Sequence, residues 1–184
     1  MNVGLINGLP GHPLFVHGAV VLVPLTALAL VVCALWSSAA RRLNWLLPGM
    51  GLVPLVLVVL ATEAGEWLEE RVQESALVEE HAELGPGLTP WAITLFVLTV
   101  AVWLLGRVGP RREGEHSGEA DRPAEGGTAG VARLASSVPA RVAVSVIALV
   151  VAVGAVIQVY RIGDSGAKAT WQDSFSTSRS GDGR

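Results

Sequence analysis

Residues Leu14–Trp36 read LFVHGAVVLVPLTALALVVCALW, without an Asp, Glu, Lys or Arg. As a helix this run is roughly 34 Å long, enough to cross about 30 Å of hydrocarbon. Three further apolar blocks follow, at about 46–68, 90–106 and 142–160. The chain of 184 residues is 51% hydrophobic and 16% charged, with a mean hydropathy of +0.52. A soluble domain of this length needs more charged surface than that. The expected fold is therefore all-α: a polytopic, integral-membrane four-helix bundle embedded in the lipid bilayer.

Local signals refine the spans. Pro13 stands where a helix tolerates proline, in its first turn, and His12 lies near the N-cap. Pro24 should kink the first span. Pro48, Gly49, Gly51 and Pro54 should bend or delay the start of the second. Ala148, Ala152 and Ala155 in the fourth have spacings that allow close helix approach. Trp36, Trp45, Trp67, Trp91, Trp103 and Tyr160 lie near span borders, where an interfacial aromatic belt belongs. One four-span domain is expected over 1–171, interrupted by a disordered linker at 109–137. A disordered tail is expected over 172–184.

Arginine placement sets the expected orientation. Arg41 and Arg42 lie between spans one and two. Arg107, Arg111, Arg112, Arg122, Arg133 and Arg141 lie between three and four. The first 40 residues have no Lys or Arg. The positive-inside rule then puts both termini on the outer side of the cell membrane. The missing basic n-region argues against a cleaved signal peptide. The single cysteine, Cys33, excludes an internal disulfide and a Cys-rich metal site.

Every span carries an ionisable group at or near its expected outer end. His12 and His17 open span one. Glu63 and Glu66 close span two, three apart and so on one helix face, with Glu70 one turn on. His81 precedes span three. Arg161 and Asp164 follow span four. Charges in a membrane bundle usually face its interior and find a partner. His17, His81, Glu63, Glu66, His12 and Asp164 are thus candidate ligands for zinc, iron, manganese or copper. Haem b held between His17 and His81, or a quinone at the rim, is the redox alternative. The plainer readings are a His12 helix cap, a Glu63–Arg161 ion pair and a solvated acidic loop. No nucleotide-binding or hydrolase motif is present, no nucleophile and base pair is visible, and no basic aromatic patch suggests nucleic acid. An enzyme is not the expected class. An accessory or structural subunit is, with a membrane-complex partner or a second copy of the chain.

The stretches LPGHPLFVHGAVVLVPLTALAL, ATEAGEWLEERV with VEEHAELG, and VYRIGDSGAKATW resemble a bacterial membrane-protein family, domain of unknown function 2231. The resemblance covers about residues 9–171 apart from the linker. It implies four transmembrane helices, and some relatives look joined to redox-type modules. His12, His17, Glu66, His81 and the Arg161–Gly166 segment match the family's polar signature. Asp164 stands where many relatives are expected to have histidine. A carboxylate there can hold a metal but cannot supply a nitrogen to haem iron.

Overall fold

The computed structural model describes residues 4–73, 75–108 and 138–177. The expected linker at 109–137 and residues 178–184 of the expected tail lie outside the described residues.

The chain opens with a short antiparallel hairpin, β1 (Leu5–Ile6) and β2 (Leu9–Pro10). Asn7 and Gly8 turn it with φ of 51° and 82°, the left-handed pair that tight hairpins demand. Then come α1 (Gly11–Leu35), the short α2 (Ser37–Leu43), α3 (Leu46–Glu69) and α4 (Ala76–Leu84). A 3-10 turn (Gly85–Leu88) joins α4 to α5 (Thr89–Val108), and α6 (Val138–Thr177) ends the described chain. Among the described residues, four helical segments are long and apolar enough to cross a membrane, as the sequence leads one to expect. The last helix runs 40 residues. It continues to Thr177, past the position where composition sets the tail, because no glycine or proline interrupts it after Gly166.

The spanning segments form an antiparallel bundle. α1 packs on α3 and α6, α3 also packs on α5, and α5 touches α1 and α6. Small side chains line the seams: Ala19 and Ala27 on α1, Ala148 and Ala155 on α6. Lipid tails are as apolar as leucine, so cohesion here comes from close packing and interhelical hydrogen bonds. Leucines and valines such as Leu28, Val97 and Val150 point outward and are exposed, as a lipid-facing surface requires.

Proline explains one of those hydrogen bonds. Pro54 lies inside α3 and has no N–H, so it cannot donate to the carbonyl four residues back, on Met50. Thr26 of α1, 1% exposed, takes that place: its Oγ1–H donates to Met50 O at 2.6 Å. Thr26→Val keeps the shape and removes the donor. It should cost about 1 kcal/mol, the usual worth of such a bond. SDS unfolding in mixed micelles checks this, and an unchanged midpoint would show that the bond contributes nothing.

At the Arg107 end, two tryptophans gather around a guanidinium. The Trp45 and Trp103 rings lie 4.7 Å apart. The Arg107 guanidinium sits 4.8 Å from one and 4.5 Å from the other. Asn44 Oδ1 accepts from Trp103 Nε1 and Arg107 Nη2.

Candidate functional site

The opposite end of the bundle gathers two of the histidines. His12 is the second residue of α1 and makes no cap bond; the N-cap is Pro10. Its Nδ1 instead reaches across to Ala61 O on α3 at 2.8 Å. A carbonyl can only accept, so Nδ1 carries the hydrogen. In the neutral ring that leaves a lone pair on Nε2.

His81 sits on α4, which starts at a Ser75 cap: the Ser75 side chain accepts from Val78 N–H at 3.3 Å. The following 3-10 turn carries the chain into α5 and holds α4 against α6. Gln158 Nε2 of α6 donates to Leu84 O at 3.3 Å. Gly87 makes room for it, since a Cβ there would lie 2.7 Å from that nitrogen. This fixes His81 beside Ser165 of α6, with Nδ1 and Oγ at 2.9 Å. Ser165 Oγ–H donates to Ile162 O at 2.9 Å. A hydroxyl has one hydrogen, so toward His81 the serine accepts and Nδ1 donates. His81 therefore has the same tautomer as His12.

The two rings meet, with centroids 6.1 Å apart and planes at 84°. Each lies on a glycine. A Cβ on Gly65 would stand 3.0 Å from His12 Nδ1, and one on Gly166 would stand 2.9 Å from His81 Cε1. Both rings are half-buried. Trp67 closes on Gly4, just ahead of the hairpin, at the same end.

The other candidates lie elsewhere. His17 is exposed, and its Nδ1–H donates back to Pro13 O at 2.6 Å within α1. Glu63 and Glu66 are exposed on α3. Asp164 is exposed and pairs with Lys168 at 2.7 Å. Among the described residues no ion pair joins Glu63 to Arg161. Nor do three or more His, Cys, Asp or Glu side chains among them gather closely enough to hold an ion. For the haem arrangement weighed above, the ring that His81 meets is that of His12, not His17.

Sequence reasoning did not single out Ala61 or Gly65, and it reached Ser165 and Gly166 only as part of the Arg161–Gly166 segment. The usable signal was the small residue set among charges in "EAGEW" and "DSGAK": a glycine inside a helix marks a close approach.

No curated protein and no solved structure matches the chain. A family model does, over residues 8–179. It covers all the spanning helices and the histidine pair, so the chain belongs to the family described as predicted membrane protein, DUF2231.

Proposed function

We propose that this chain is an accessory, non-catalytic subunit of a cell-membrane assembly, with its histidine end on the outer side. The observation that carries the reading is the overhang of α6. Its apolar stretch from Val142 to Tyr160 is about 28 Å long, already the thickness of the hydrocarbon. Trp171 stands about 16 Å further along the helix, beyond the ~5–8 Å interfacial layer where belt tryptophans reside. It is 59% exposed. A large aromatic held in water on a rigid arm is the residue type that anchors protein interfaces.

The test is Trp171→Ala with native electrophoresis of digitonin-solubilised membranes. The wild-type chain should migrate in a complex that includes a second polypeptide. The variant should keep its stability and leave that complex. A wild-type chain that migrates alone, or a complex unaffected by the substitution, would overturn the reading.

A further inference from the structure

The geometry points to a transition-metal site between His12 and His81, formed by the two Nε2 atoms. It does not rest on the accessory role. Each Nδ1–H is committed to a protein acceptor, Ala61 O or Ser165 Oγ. That is the outer-shell arrangement that fixes the tautomer of a metal-binding imidazole and raises its basicity. Both neutral rings then offer an Nε2 lone pair, because the hydrogen bonds to Ala61 O and Ser165 Oγ are both made by Nδ1. Both rings are half-buried, so the pair is open to solvent on one side.

Separation and donor type fit one ion. With metal–nitrogen bonds of about 2.0–2.1 Å, two imidazole centroids on one ion lie roughly 5–6.4 Å apart, from tetrahedral to linear. The observed 6.1 Å is inside that range. The neighbouring carboxylates of Glu63, Glu66 and Asp164 are exposed, and among the described residues none of them joins the pair in a set of three potential ligands. Two imidazoles without thiolate or carboxylate suit a borderline cation such as copper, zinc, nickel or iron, and the Irving–Williams order ranks Cu2+ highest. Water or a small exogenous ligand completes the coordination. The glycine floors matter because a side chain at 65 or 166 would displace a ring.

The probe is Cu2+, titrated into the purified full-length chain in detergent and read by electron paramagnetic resonance. One ion per chain is expected, with coupling to two imidazole nitrogens. His12→Asn and His81→Asn should each weaken binding at least tenfold. Asparagine can still donate from the Nδ1 position but has no counterpart of Nε2, so the metal-free fold should hold. His17→Ala should change nothing. Equal binding by wild type and the double asparagine variant would mean an adventitious ion only. Loss of binding in His17→Ala, or no binding at all, would also overturn the site. Should an asparagine variant misfold, diethyl pyrocarbonate labelling of the wild type decides: Cu2+ should protect His12 and His81 but not His17, and uniform labelling would refute the proposal. Failure of the accessory reading alone would leave the Cu2+ spectrum intact.

Discussion

Gly51→Ala should destabilise the bundle by about 3 kcal/mol, the upper end of the usual cost of overpacking. Gly51 faces α5 across the α3–α5 seam. An added Cβ would overlap Thr99 Oγ1 and stand 3.1 Å from Phe96 Cα. The first neighbour cannot turn away freely. Thr99 is 0% exposed and its Oγ1–H donates to Phe96 O at 2.7 Å. The second is backbone and moves only if the helices part. Gly49, two residues earlier in the same helix, is open: a methyl group added there would meet nothing within 4 Å. There alanine should stabilise, by up to about 1 kcal/mol of helix propensity. The two substitutions are chemically identical and carry opposite signs. SDS unfolding in mixed micelles, followed by circular dichroism, measures both. A neutral Gly51→Ala would mean that α3 and α5 do not pack in this register.

The contrast shows what a sequence conveys. Spans were legible because about 20 uncharged residues have few other solutions. Small residues at 148, 152 and 155 were legible as a packing face for the same kind of reason. The candidate ligands were legible as a group at one end of the spans, but not by direction. His12 and His17 are five residues apart, which places them about 140° apart around a helix. Only one of them can face α3, and spacing alone does not say which. His12 does, because Gly65 leaves room for its ring. The same holds on α6, where Ser165 is 5% exposed and turns inward while Asp164 turns out to Lys168. Charged residues drew the eye to the end of the bundle where the two rings meet, but the small residues beside them decide what the histidines touch. The α4 route was hidden for another reason. Gly85-Pro86-Gly87 reads as a break, whereas the Gln158–Leu84 and His81–Ser165 bonds show α4 held on α6.

Ala155→Leu should cost about 3 kcal/mol, again by overpacking. Ala155 is 0% exposed, and Ala152 on the same face is 7% exposed. The face has no space for a branched side chain, so α6 must move outward. Val156, the next residue, is 41% exposed; Val156→Leu should stay within about 0.5 kcal/mol, as surface substitutions do. The same unfolding measurement separates the two. A displaced α6 also has a consequence at the histidine end. α6 is one unbroken helix from Val138 to Thr177, and Ser165 lies about 15 Å along it from Ala155. Moving the helix pulls Ser165 Oγ from His81 Nδ1 and loosens the Gln158–Leu84 tie that holds α4. Ala155→Leu should therefore weaken Cu2+ binding although it touches neither ring, while Val156→Leu leaves it alone. If Ala155→Leu destabilised the bundle but left Cu2+ affinity unchanged, His81 would owe its position to α4 and α5 rather than to α6.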